Sequence, residues 1–255
     1  MEFVNYLGQE NVLRFMLLFA RMSGLVAFFP FFNHLRIPIV VKTSMVLFLT
    51  IFLFPHSVLG PIEPNLVALV FGIVMELMLG LMAGLVAYLL FAALDIAGQQ
   101  ISFVMGFTMA NVIDPQTGMS APLMSQILTI LAIVIFLAFD GHHLLLLFYH
   151  HSLGTIALGG FYPEVSMWNF IEKAVLNMFL LGFIFSFPVK AISLLSDVIF
   201  GMLMKTMPQF NLLVVGFPIK IMLSYVVMIA ILGSMMLLFK NEMVEAIEAM
   251  PSVFY

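Results

Sequence analysis

The sequence predicts an all-α fold, that of a hydrophobic, membrane-associated helical protein. Composition is the first reason. Of 255 residues, 64% are hydrophobic and 9% are charged, against roughly 45–50% apolar and about 25% charged in a soluble domain. The mean hydropathy of +1.19 agrees. The second reason is pattern. The apolar residues fall in long unbroken runs, whereas the strands of a membrane barrel read as alternating segments of about 10 residues. A surface this apolar has to be covered by lipid, by partner subunits or by both.

Six runs stand out: Val12–Phe32, Ile37–Phe54, Leu66–Leu94, Leu123–Phe148, Phe170–Phe200 and Leu212–Phe239. Pro30 and Pro38 bracket the first turn, and Pro55, Pro61 and Pro64 mark the second loop. Gly159, Gly160 and Pro163 separate the fourth and fifth runs. The third and fifth runs exceed the roughly 20 residues that cross hydrocarbon, so they tilt or extend beyond it. Pro188 falls inside the fifth run. A proline there removes a helix hydrogen bond and predicts a kink or a short gap. The acidic tail from Asn241 carries Glu242, Glu245 and Glu248 at helical spacing and reads as a solvated helix end.

Other classes are excluded or disfavoured. Nine Lys and Arg face 13 Asp and Glu, for a net charge of −4, so no basic patch invites nucleic acid. The absence of Cys removes disulfide frameworks, thiolate metal sites and thiol catalysis. Glu2 and Glu10 precede the first run where a signal peptide carries basic residues, so that run is expected in the mature protein. No G-x-S-x-G, H-E-x-x-H or P-loop spacing occurs. The expectation is a protein that is not an enzyme, with no cofactor.

Charges inside apolar runs each cost about 2.5–3.5 kcal/mol on insertion scales and need a reason. Arg14 and Arg21 lie in the first run, Glu76 in the third, and Lys190 and Asp197 in the fifth, while Asp95 ends the third and Asp140 ends the main part of the fourth. Three readings stand: a proton or ion relay, pairs between helices or subunits, or segments facing protein or water. The available pairs are Arg14 or Arg21 with Glu76, and Lys190 with a carboxylate elsewhere. Gly72, Glu76, Gly80 and Gly84 recur every four residues, the small-xxx-small spacing of close helix packing. His142, His143, His150 and His151 form two pairs eight residues apart. They do not match common metal-ligand spacing, so no metal site is expected.

The stretch from Gly98 to Gln126 reads as neither turn nor span. Its Asp114-Pro115 step and nearby glycines call for irregular backbone. At membrane depth such a loop must sit in protein or line a cavity, where flexible Met side chains suit a deformable apolar seal.

Within this stretch, A-G-Q-Q-I-S-F-V-M-G-F-T-M-A-N-V-I-D-P (Ala97–Pro115) resembles the central signature of the FliR family. That family belongs to the bacterial flagellar type III secretion export apparatus, with SctT as its injectisome equivalent. M-P-Q-F-N-L-L-V-V-G-F-P-I-K (Met207–Lys220) resembles its C-terminal signature, and Glu76 with Gly80 and Gly84 resembles its E-x-x-x-G-x-x-x-G helix. The resemblance covers essentially the whole chain.

The resemblance implies a component of the flagellar export gate. It would form, with FliP and FliQ, a closed channel for unfolded secreted substrates, in contact with FlhB. It implies bent helical hairpins, with residues 1–160 FliP-like and 161–255 a FliQ-like hairpin with an acidic tail. It implies the bacterial inner membrane at the flagellar basal body, with a cone raised toward the periplasm. It also implies that the loop from Gly106 to Pro122 projects into the pore. Phe107, Met109, Val112 and Ile113 would then close it and Met105 and Met119 support them. Gly106 and Gly118 would supply bends, and Asp114-Pro115 the turn. Where family members often carry an aromatic, this chain has Met109. A secondary transporter of a small solute or ion is the alternative, from the intramembrane charges and broken segments.

Overall fold

The computed structural model describes residues 8–29, 32, 37–60, 65–107, 122–207 and 212–254. The described chain is helical throughout, with no strand beyond one isolated bridge. The helices are α1 (Gln9–Phe28), α2 (Ile39–Leu53), α3 (Leu66–Val104), α4 (Leu123–Ala138), α5 (Gly141–Thr155), α6 (Val165–Thr206), α7 (Phe217–Ala249) and α8 (Pro251–Phe254). A 3-10 turn, Phe54–His56, follows α2, and a π-helical turn, Leu212–Gly216, leads into α7. Five of these stretches are long and apolar enough to cross a membrane, and the pair α4–α5 makes a sixth if its two halves count as one broken span. This is a helical membrane protein.

Four sequence expectations need correction. The irregular stretch does not begin at Gly98: α3 runs on to Val104, so Gly98, Gln99 and Gln100 are helical, and Leu123–Gln126 already belongs to α4. One polar glutamine pair does not end a helix whose backbone bonds are made internally. The fourth run is not a single helix. It breaks at Phe139–Asp140, where Asp140 adopts a left-handed φ of 58°. Pro188 opens no gap, since α6 is helical across it. Finally, the acidic tail is packed on one face. Met243, Ile247, Met250 and Phe254 are buried, and the Phe254 ring meets Phe148 and Phe170 edge-on.

The chain forms two compact units. The first comprises residues 1–89, 136–175 and 242–255, and the second 90–135 and 176–241. In the first, α1 packs against the N-terminal part of α3 through glycines. A Cβ on Gly24 would lie 2.6 Å from the Leu77 carbonyl oxygen, and one on Gly84 3.1 Å from that of Leu25. Lipid is as apolar as leucine, so such close backbone packing, not removal from water, holds membrane helices together. In the second unit, Gly98 brings α3 against the start of α4, where an added Cβ would stand 2.5 Å from the Ser125 nitrogen. Phe91 and Phe239 meet edge-on at 5.3 Å between centroids.

Much of the apolar surface is left uncovered by the chain itself. Phe48, Ile51 and Phe52 on α2 are exposed, as are Leu176, Phe179, Leu180 and Phe183 on α6 and Met222, Val226 and Ile229 on α7.

Candidate functional site

The first unit is organised around one buried ion pair. Arg21 on α1 and Glu76 on α3 are both fully buried, with Nε 2.5 Å from Oε2. Each makes further bonds. Glu76 Oε1 accepts the Gly159 backbone N–H at 2.7 Å. Arg21 donates to the Ser152 hydroxyl at 3.3 Å, and to the Ser152 and Ile156 carbonyls at 3.4 Å each. Those carbonyls lie at the C-terminal end of α5, where the helix dipole favours a cation. Tyr149 donates its hydroxyl to the Gly80 carbonyl at 2.8 Å. A buried pair is tolerable only when its remaining hydrogen-bonding capacity is met, and here α1, α3, α5 and the loop after α5 all contribute.

The loop after α5 is tied down a second time. Leu59 and Leu158 form a parallel bridge, with the Leu158 N–H donating to Val58 at 2.8 Å and the Gly60 N–H to Leu158 at 2.9 Å. Arg14 does not share Glu76. It donates to the Ser57 carbonyl and hydroxyl and lies over the Phe54 ring, 5.0 Å from its centroid. Two arginines seven residues apart lie on one side of a helix, but they are two turns apart along it, and only Arg21 is level with the carboxylate.

A second polar cluster lies in the second unit. Gln100 Oε1 accepts from the Ser186 hydroxyl at 2.8 Å and from the Lys190 ammonium. Lys190 also lies 4.7 Å from the Phe183 ring centroid. The partner of Lys190 is thus an amide, where the sequence reading sought a carboxylate. A glutamine oxygen meets the ammonium without adding a second charge. Asp197 pairs instead with Lys220, both oxygens at 2.8 Å from Nζ. Asp95 accepts from Ser125 and, at 2.8 Å, from Gln99.

Of the proposed pore-loop residues, Met105, Gly106 and Phe107 are described, whereas Met109, Val112, Ile113, Asp114, Pro115, Gly118 and Met119 lie outside the described residues. Met105 is fully buried. Gly106 ends the helical region with φ of 86°. The Phe107 ring faces that of Tyr225 at 6.3 Å, and the Phe217 ring lies 3.3 Å from where a Gly106 Cβ would stand. The α3 end of the loop is therefore anchored on α7. Of the four-residue glycine series, Gly80 and Gly84 sit against α1, while Gly72 meets only the tip of Leu17 and the Gly159 backbone.

Sequence reasoning missed Gln100, Tyr149 and Ser152, whose residue types are ordinary on membrane helices. It also missed Asp140 as a neighbour of His142 and His143. The three offer ligand atoms within 4.8 Å of one another. The signal in the sequence is the aspartate two positions upstream of His142, not the spacing between the histidine pairs.

This architecture, with long apolar helices, a buried ion pair and broad uncovered apolar faces, defines a helical membrane protein. The family described as Bacterial export proteins, family 1, matches residues 12–246. The chain is 35% identical over 242 residues to the flagellar biosynthetic protein FliR of Bacillus subtilis (strain 168), covering 92% of each. It is 29% identical to that of Pectobacterium carotovorum subsp. carotovorum, over 86% of this chain and 82% of the relative. With that of Escherichia coli (strain K12) the identity is 24%, over 83% and 81%. The chain belongs to this family of bacterial export proteins, as a FliR-type membrane component of the flagellar export apparatus.

Proposed function

We propose that the chain forms, with FliP and FliQ, the closed gate through which the flagellar type III system exports unfolded proteins across the bacterial inner membrane, with FlhB alongside. The family match across residues 12–246 carries this reading. The uncovered apolar faces of α2, α6 and α7 support it, because each offers a surface for subunits as well as for lipid. On this reading residues 1–160 act as a FliP-like part and 161–255 as a FliQ-like hairpin, in a cone raised toward the periplasm. The part played by the chain is structural, with no catalytic step.

The loop from Gly106 to Pro122 is the seal. Its apolar residues, Phe107, Met109, Val112 and Ile113, close the pore with Met105 and Met119 behind them. Gly106 and Gly118 bend the loop, and Asp114-Pro115 sets its turn. Flexible thioethers let such a constriction yield around a passing polypeptide.

The test is co-expression with FliP and FliQ of the same organism, purification through a tag after Tyr255, and mass analysis. The expected result is one defined hetero-oligomer. A stable, solute-binding monomer that ignores both partners would sink the proposal and favour a transporter. Deleting Gly106–Pro122 should leave assembly intact and make the membrane leaky to small solutes; an intact permeability barrier in the assembled deletion variant would refute the sealing role.

A further inference from the structure

We propose that Asp140, His142 and His143, at the break between α4 and α5, bind a divalent transition-metal ion of the zinc class. One ligand atom from each lies within 4.8 Å of the others. Ligands about 2.0–2.1 Å from a tetrahedral zinc stand roughly 3.4 Å apart, so the set has to draw in by little more than 1 Å at its widest. Asp140 Oδ1 and His143 Nδ1 are already at 3.2 Å.

The backbone is arranged for this and not for ordinary capping. Asp140 is the only described non-glycine residue with positive φ. It holds the N-cap position of α5, where an aspartate side chain normally accepts a helix N–H, yet its carboxylate makes no cap bond. It turns to His143 instead. The elbow is held in shape by packing: a Cβ on Gly141 would stand 2.5 Å from the Phe136 ring, which itself meets Phe139 edge-on.

A second observation is independent. His142 Nδ1 is covered and has no hydrogen-bond partner among the described residues, although leaving a covered polar atom unpaired is unfavourable. Its ring lies 4.1 Å from that of His143. Rotating this imidazole to coordinate an ion removes the unmet nitrogen from its covered position or meets it directly. Asp140 and His143 are 70% and 68% exposed, so an ion can reach the site.

Donor chemistry sets the class. Two imidazoles and one carboxylate suit zinc, copper, nickel or iron over calcium or magnesium. Three protein ligands leave a position for water or for a group from another chain. The ion would tie the first turn of α5 to the residue that breaks it from α4, stiffening the elbow.

The experiment uses the full chain, purified in detergent with a histidine-free tag in whatever assembly it forms. Zinc is titrated against a chromophoric chelator, and cobalt is titrated with its visible spectrum recorded. The expected result is one ion per chain. Asp140→Asn, His142→Gln and His143→Gln should each weaken binding tenfold or more, a loss at least as large as that for removing an outer-shell partner. The double variant His150→Gln/His151→Gln should bind as the unaltered chain does, and gel filtration should show all variants assembled alike. Absence of stoichiometric binding, or binding that survives Asp140→Asn and His142→Gln undiminished, would overturn the proposal. So would loss confined to the His150/His151 variant. If a histidine variant fails to assemble, Asp140→Asn with the cobalt spectrum decides.

Discussion

Gly24 and Gly80 meet where α1 crosses α3: a Cβ on Gly80 would stand 3.0 Å from the Gly24 Cα. Nearby on the same two helices, Arg21 and Glu76 make their 2.5 Å contact. The two features belong together. Small residues let the backbones approach, and the approach brings a short carboxylate within reach of a guanidinium where both are fully buried.

Gly80→Ala should therefore be poorly tolerated. The new methyl would press on backbone on the α1 side, which cannot swing aside as a side chain can. Overpacking of this kind costs about 1–3 kcal/mol. Gly72→Ala is the control, because its nearest neighbour is the flexible Leu17 Cδ2 at 3.3 Å. The check is thermal melting of the detergent-purified protein. A Gly80→Ala midpoint no lower than that of Gly72→Ala would show that the crossing is looser than described.

Breaking the ion pair from either side should be worse than removing it whole. Arg21→Met strands a buried Glu76, and Glu76→Gln strands a buried Arg21; each should cost about 3–5 kcal/mol. The double variant Arg21→Met/Glu76→Leu leaves no uncompensated charge and should recover much of that loss. Steady-state membrane levels and melting of the three variants would measure the coupling. Additive losses would argue against a direct pair.

Tyr149→Phe removes one hydroxyl and leaves the ring. Its bond to the Gly80 carbonyl should contribute about 0.5–1.5 kcal/mol, so a modest fall in melting temperature is expected with assembly retained. A variant indistinguishable from the parent would mean that the carbonyl finds another donor.

Gly106→Ala probes the end of α3. At φ of 86° an L-residue is strained by roughly 1–2 kcal/mol, and its Cβ would also touch the Phe217 ring. If the loop seals a pore, altering its anchor should raise solute leakage before it affects assembly. Ion-flux assays on cells expressing the variant complex would read this out, and unchanged flux with unchanged stability would remove Gly106 from any role in loop placement.

The helical class was legible because composition and run length are properties of residues alone. The break at Asp140 was legible only in part: the aspartate ends the main part of the run Leu123–Phe148, but the left-handed turn depends on how Phe136 and Phe139 pack around Gly141. The extension of α3 past Gly98 was hidden for a similar reason. Gln99 and Gln100 read as the end of an apolar segment, yet Gln99 bonds Asp95 and Gln100 receives Ser186 and Lys190, so polar side chains are accommodated without ending the helix. Most of the loop proposed to seal the pore lies outside the described residues, and its role rests on likeness to the family.

By itself the sequence determined that this protein lives among lipid or partner subunits, that its helices are long, and that a few charges within them need partners. It also held the two motifs that resemble the FliR family. Which charge meets which was decided only by the tertiary structure. Arg14 and Arg21 are the same residue type on the same helix, and only the depth at which α1 crosses α3 sends one to Glu76 and the other to Ser57. Partner choice follows from helix rotation and crossing height, and those are set by packing of the whole unit, beyond what local spacing encodes.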